Sequence, residues 1–207
     1  MNKVLDIKKL KNNTYLVTFD VAGKTKTQVL SEETLISFNL LSLKDISKED
    51  YKKLIKQNDD NMLYNKAIHF IDYQMRSISE VKKHLKKSTK DDTKINSIIK
   101  KLKDQQYLND NHFASEYVTQ KIEFDLVGPK YIKEKLIQKG IHYDLIDGNL
   151  VRFTEDMMFD KISELIKKET KYPIKKPYKK AYISIKTKLI GKGFPLRIVE
   201  ASLGSYG

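Results

Sequence analysis

The chain of 207 residues carries 40 Lys and Arg against 27 Asp and Glu, a net charge of +13, and 40% of it is hydrophobic. That is enough apolar material for one packed domain or two small ones, and the charge fits either a polyanionic partner or a lysine-rich proteome. With no Cys there is no disulfide framework, thiolate metal site or thiol nucleophile, and with no apolar run of about 18 residues and no leader-like start the sequence predicts a cytoplasmic protein that does not span a membrane.

Residues 3 to 30 alternate in the manner of strands: "KVLDIKKL", a turn at Asn12 and Asn13, "TYLVTFDV", a turn at Ala22 and Gly23, then "KTKTQVL". Asn and Gly tolerate positive φ, so the pattern predicts a small antiparallel sheet. Ser31 caps a short helix holding Leu35, Ile36 and Phe38, and Ser47 caps a second running through Tyr51, Leu54 and Ile55. These make an N-terminal β plus helix module over 1–60, too small to be stable without support from the rest of the chain.

From about residue 61 the period becomes helical. In "NMLYNKAIHFIDYQM", Leu63, Ala67, Phe70, Ile71 and Met75 share a face. "RSISEVKKHL" places Ser77 and Glu80 at the spacing of a capping box, which starts a new helix. "DDTKINSIIKKLKDQQ" has acid at its N-terminal end and Ile95, Ile98, Ile99 and Leu102 on its inner side. This three-helix phrase, 61–109, recurs over 110–153. There "DNHFASEYVTQKI" is the long helix, Gly128-Pro129 opens the second, Gly140 closes it, and a short third holds Leu145, Ile146 and Leu150. A third copy, 154–207, runs from "EDMMFDKISELIKK" through a proline-broken basic stretch to "LRIVEASL". Leu136, Gly140, Leu145 and Leu150 match Leu189, Gly193, Ile198 and Leu203, each 53 positions later. The predicted fold is mainly α: tandem three-helix repeats stacked as a short curved solenoid behind the sheet module.

Reacting groups are scarce. His69, His84, His112 and His142 are 15, 28 and 30 residues apart, none at the i, i+4 spacing of a helix-borne metal pair. Asp59-Asp60 and Asp91-Asp92 read as helix starts rather than paired catalytic carboxylates. "AGKTKT" lacks the upstream glycine of a phosphate loop and lies between strands. No catalytic residue, metal or cofactor is predicted.

Lysine is distributed unevenly. Residues 1–60 hold 11 basic and 9 acidic residues, whereas 61–207 hold 29 and 18. On the second helices, Lys82, Lys83 and Lys86 with Arg76 in the first copy, and Lys130, Lys133, Lys135 and Lys139 in the second, recur beside buried leucines. Between Lys167 and Lys192 ten lysines face the single Glu169, with Tyr172, Tyr178 and Tyr182 interleaved; Lys179, Lys180, Lys186 and Lys188 are the third copy's candidates. Any one helix alone reads as a solvated face with snorkelling lysines. Recurrence predicts a basic ridge for a repeating partner, a phosphate backbone or a protein filament wound on one. Tyrosines at this spacing are more often packing residues than base-stacking ones.

Three segments resemble the RecX family of proteins that modulate the RecA recombinase. "AIHFIDYQMRSISEVKKHL" is similar to its Arg-Ser-x-x-Glu signature at Arg76, Ser77, Glu80, Val81 and Leu85. "LKDQQYLNDNHFASEYV" is similar to its junction at Leu108, Asn109, Asp110, Phe113, Ala114, Tyr117 and Val118. "GPKYIKEKLIQKGI" comes next, at Gly128, Pro129, Ile132, Leu136, Lys139, Gly140 and Ile141. The sheet module resembles the extension of the Gram-positive branch. Gln106 stands where a glycine is common, which predicts a different helix end, and the third copy with Pro173 and Pro177 matches loosely. The resemblance implies a monomeric, non-enzymatic regulator without cofactors. It implies one that lodges in the groove of the RecA filament on single-stranded DNA and hinders ATP hydrolysis and strand exchange in recombination, repair and the SOS response. A plain basic DNA-binding module stays open beside it, and an enzyme using a hidden acidic pair ranks last.

Overall fold

The computed structural model describes residues 1–42, 45–169 and 179–205, the side chains of 169, 179–181 and 205 excepted. Strands β1 (Asn2–Lys9), β2 (Thr14–Val21) and β3 (Lys24–Ser31) pair antiparallel where the alternation predicts them. Asn12 and Asn13 take φ of 55° and 51° in the first turn, Ala22 and Gly23 take 54° and 80° in the second. Positive φ at both central residues is the mirror-image turn whose twist suits a hairpin, and Asp20 Oδ1 accepts the Gly23 N–H at 2.8 Å. The Gly-Lys-Thr of "AGKTKT" therefore runs from turn into strand. A fourth strand, β4 (Asp45–Ile46), joins the other edge to give the order β3-β2-β1-β4; two residues are too short for any period to announce.

Ser31 caps α1 (Glu32–Ser37) by accepting the Thr34 N–H, and Ser47 caps α2 by accepting the Asp50 N–H. α2 runs from Lys48 to Tyr73 without a break, so the two helices predicted on either side of residue 60 are one. Asp59 and Asp60 consequently lie mid-helix. They are tolerated there because Asp60 meets the Lys94 ammonium at 2.8 Å, and because the neighbouring Asn58 ties the helix to the sheet. Its side-chain amide accepts from Ser31 N–H and donates to Val29 C=O, both at 2.9 Å, standing in for a further strand on the β3 edge. Met75 falls beyond the end of α2 and is 46% exposed rather than on its inner face.

The remaining helices are α3 (Ile78–Leu85), α4 (Asp92–Asp104), α5 (Asp110–Phe124), α6 (Pro129–Gln138), α7 (Tyr143–Leu150), α8 (Glu155–Glu169), α9 (Lys179–Gly191) and α10 (Leu196–Ser205). Nine described helices thus follow α1 in the chain; taken in order as the predicted triplets they are α2–α4, α5–α7 and α8–α10. Asp91 caps α4, its Oδ1 accepting the Thr93 and Lys94 N–H groups. α4 does not end differently for want of glycine. Gln106 itself takes φ 62°, and the bonds Gln106 N–H to Lys103 C=O and Tyr107 N–H to Leu102 C=O close the helix as a glycine would. Pro173, Pro177, Tyr172 and Tyr178 lie outside the described residues.

Two compact units divide the chain: Met1–Gln74 with Val81–Lys101, and Met75–Glu80 with Leu102–Gly207. The first packs Val17, Phe19, Leu30, Leu35, Leu40, Ile46 and Leu54 under the sheet. In the second, one continuous core includes Val118, Ile132, Leu136, Ile146, Ile162, Leu189 and Ile198. Among the described residues no helix is long and apolar enough to cross a membrane.

Candidate partner-binding surface

The second helices of the triplets meet end to end. At the start of α3, Ser77 and Glu80 close the predicted capping box: Ser77 Oγ accepts the Glu80 N–H at 3.1 Å, and Glu80 Oε2 accepts the Ser77 N–H at 3.0 Å. The Ser77 hydroxyl then donates to the Lys139 carbonyl at 2.6 Å, at the far end of α6. Lys139 Nζ lies 2.8 Å from Glu80 Oε1 and 5.4 Å from the Phe113 ring centre. Gly140, at φ 79°, is so close that a Cβ there would stand 2.4 Å from Ser79 Cβ. The carbonyl pole of α6 thus faces the amide pole of α3, a favourable dipole arrangement that also satisfies orphan backbone groups.

Charge in this joint is tuned by its neighbours. Burial pushes the Glu80 carboxyl up, but the Lys139 ammonium, the Ser77 amide and Arg76 outweigh it, and its pKa lies below the ordinary 4.5. Asp110, whose Oδ1 accepts the Ile78 N–H at 2.9 Å, is raised, chiefly by burial, with the Glu80 charge adding to it.

One triplet later the joint recurs with backbone alone. Gly128 N–H donates to Lys192 C=O at 2.8 Å and Lys130 N–H to Gly193 C=O at 3.1 Å, so the start of α6 receives the end of α9. A Cβ on Gly128 would come 2.3 Å from the Gly193 carbonyl carbon, and one on Gly193, at φ 88°, 2.3 Å from the Tyr131 nitrogen. Both glycines are needed for this approach. Six of the residues that carry the family resemblance, Ser77, Glu80, Gly128, Pro129, Lys139 and Gly140, therefore belong to the two joints.

The candidate lysines separate into two groups. Lys133 Nζ reaches Asp147 on α7 at 2.6 Å, and Lys186 Nζ reaches Glu200 on α10 at 2.7 Å. Lysine and acid are 14 apart in both, and each pair is the other's copy 53 positions on, so the repeat contains a clamp between second and third helices. Lys86 meets Asp92 at 3.0 Å, and Lys139 is held by Glu80. Being partly exposed, such pairs contribute about 0–1 kcal/mol each. Lys82 and Lys83 in the first unit, and Lys130 in the second, make no ion pair among the described residues. Lys135 Nζ sits 5.4 Å from the Tyr131 ring centre, and Lys188 is exposed. Arg76 contributes to the field on Glu80. The side chains of Lys179 and Lys180 lie outside the described residues.

On α6, Lys133 and Lys135 flank the buried Ile132 and Leu136 stripe from opposite sides, one reaching α7 and the other Tyr131. The recurrence predicted both on one ridge and gave no sign of the acids that hold four of the twelve candidates, Lys86, Lys133, Lys139 and Lys186; for Lys133 and Lys186 an Asp or Glu 14 residues later was the available signal. The surface offers cations and aromatic rings. The His84 ring stacks on Phe70 at 4.0 Å, and His142 Nδ1 accepts the Asp144 N–H at the start of α7. Among the described residues no three His, Asp or Glu converge as a metal would require.

No family model matches the chain. The regulatory protein RecX of Bacillus velezensis is 32% identical over 175 residues, covering 83% of this chain and 65% of that protein. That of Oceanobacillus iheyensis is 31% identical over 195 residues, covering 93% and 71%. The chain thus spans about two thirds of the length of the curated relatives it matches. A crystal structure of regulatory protein RecX superposes with a TM-score of 0.72 at 27% identity, over 99% of this chain and 100% of the other.

Proposed function

The chain belongs to the RecX family of regulatory proteins, and on that premise we propose that it is a non-enzymatic regulator of the RecA recombinase. In this reading it binds the RecA–DNA nucleoprotein filament in its helical groove and inhibits ATP hydrolysis and strand exchange. The observation that carries the proposal is the end-to-end joint, repeated at Gly140 and Gly193. It fixes the spacing of successive second helices, which is what a body following a periodic partner needs. The three triplets then act as a short solenoid. Lys82, Lys83, Lys130, Lys135 and Lys188, with Lys179 and Lys180, make the contacts, whereas Lys86, Lys133, Lys139 and Lys186 act by holding helices in place.

The test is RecA's DNA-dependent ATPase and strand exchange with stoichiometric amounts of the chain: both fall if the proposal holds, and unchanged rates refute it. The surplus of 29 basic over 18 acidic residues in 61–207 favours a second reading, a module that binds DNA directly. That reading requires tight, salt-sensitive binding to bare strands, with a log–log slope of about −0.9 per neutralised phosphate, and equal affinity for bare and RecA-coated DNA.

A further inference from the structure

The two joints are built alike but differ in one group. Ser77, Ser79 and Glu80 of the first correspond to Gly128, Lys130 and Tyr131 of the second, and Lys139 corresponds to Lys192. Lys139 and Lys192 both give their carbonyls to the residue that opens the facing helix. At the first joint the lysine's ammonium is met by a carboxylate, Glu80, at 2.8 Å. At the second joint the residue that corresponds to Glu80 is Tyr131, which carries no carboxylate. Lys192, half-buried, makes no ion pair among the described residues. Lys130, whose backbone N–H bonds to the Gly193 carbonyl in the same joint, is exposed and makes none either. No acidic residue occurs from Gly128 to Tyr131 or from Lys186 to Gly193.

We propose that Lys192, with Lys130, receives a carboxylate from an acidic segment of the partner protein, in the place Glu80 fills for Lys139. The chain's own repeat supplies the chemistry: a carboxylate on this lysine is what the same joint already holds one triplet earlier. The precedent favours a carboxylate over a phosphodiester, because the group that meets Lys139 is a side-chain acid and complementary charges across an interface fix docking register between proteins. The inference rests on the reading that the chain docks on a protein-coated strand.

The test uses the full chain and two labelled probes, a decaglutamate peptide and a fifteen-residue oligothymidylate, followed by fluorescence anisotropy, with binding to RecA filaments measured alongside. Lys192→Gln weakens peptide and filament binding by about tenfold, roughly the loss of one charged contact. Lys100→Gln removes the same charge from an exposed site elsewhere and changes binding less than about twofold. Tyr131→Glu supplies the missing carboxylate from within and closes the site, with the same loss and an unchanged melting temperature. If Tyr131→Glu fails to fold, Lys192→Gln decides alone. Equal effects of Lys192→Gln and Lys100→Gln overturn the inference, as does a loss confined to the oligothymidylate. Wild-type binding to filaments with no effect of Lys192→Gln sinks this site and leaves the regulator reading standing; absence of wild-type filament binding sinks that reading, and the peptide arm still tests the site.

Discussion

Gly193 rests on the backbone of Tyr131, with no room for a Cβ: one built there would stand 2.3 Å from the Tyr131 nitrogen. Since Gly193 also holds φ 88°, Gly193→Ala combines a steric clash with left-handed strain. It is predicted to lower stability by about 2–4 kcal/mol in urea unfolding. Gly23→Ala, at φ 80° but with nothing within 4 Å, incurs the strain alone and loses about 1 kcal/mol. Equal losses would show that the end-to-end joint does not hold α6 and α9 together.

The Glu80 and Lys139 pair makes a pH prediction. Glu80 is more acidic folded than unfolded, so its stabilising contribution is complete above the unfolded value, about 4.5, and is lost as pH falls through the lower folded value. Glu80→Gln is therefore less stable than wild type at pH 7, and the gap closes under acid conditions. Asp110 has the opposite sign. Its raised pKa means the charged form is disfavoured by folding, so Asp110→Asn, which keeps an acceptor for Ile78, gains stability at pH 7 and loses that gain as pH falls. Melting curves at pH 7 and pH 3.5 check both; a gap for Glu80→Gln that widens in acid contradicts the assignment.

Gln106 occupies a left-handed position, φ 62°, at the end of α4. Gln106→Gly relieves that strain while keeping both closing hydrogen bonds, and is predicted to raise stability by about 1 kcal/mol, visible as a higher melting temperature. A lower one would mean the glutamine side chain contributes more than its backbone costs.

The lysines divide by role. Replacing Lys82, Lys83 and Lys130 together by Glu leaves the melting temperature nearly unchanged, because none makes an ion pair among the described residues, and weakens filament binding by about tenfold or more. Lys133→Ala, which removes the clamp to Asp147, costs about 0–1 kcal/mol of stability. Leu136→Ala, at 0% exposure, opens a cavity costing about 2–5 kcal/mol. Circular dichroism melts beside filament-binding curves distinguish these outcomes.

Local signals were the most legible part of the sequence. Ser31, Ser47 and Ser77 cap helices because a short hydroxyl side chain reaches an orphan amide of the first turn, whereas Gly128-Pro129 opens α6 without a side-chain cap, the proline having its φ preset and no N–H to satisfy. Asp59-Asp60 misled because its partner Lys94 is remote in sequence, and capping chemistry and mid-helix pairing look alike until the partner is placed. The lysine pattern was legible as recurrence but not as contact. Lys133 and Lys186 recur to hold Asp147 and Glu200, and only folding reveals that those lysines face neighbouring helices. Nor could periodicity show that Gly140 and Gly193 do more than end helices: their second task is to let one helix end touch another.

The central claim is tested most directly by titrating the chain against RecA filaments on single-stranded DNA and against the same DNA bare, at equal ionic strength, while following RecA's ATPase. The account predicts tighter binding to the coated strand and a fall in ATP hydrolysis that saturates with binding. Equal affinity for both strands, or full occupancy of the filament with hydrolysis undiminished, would contradict it.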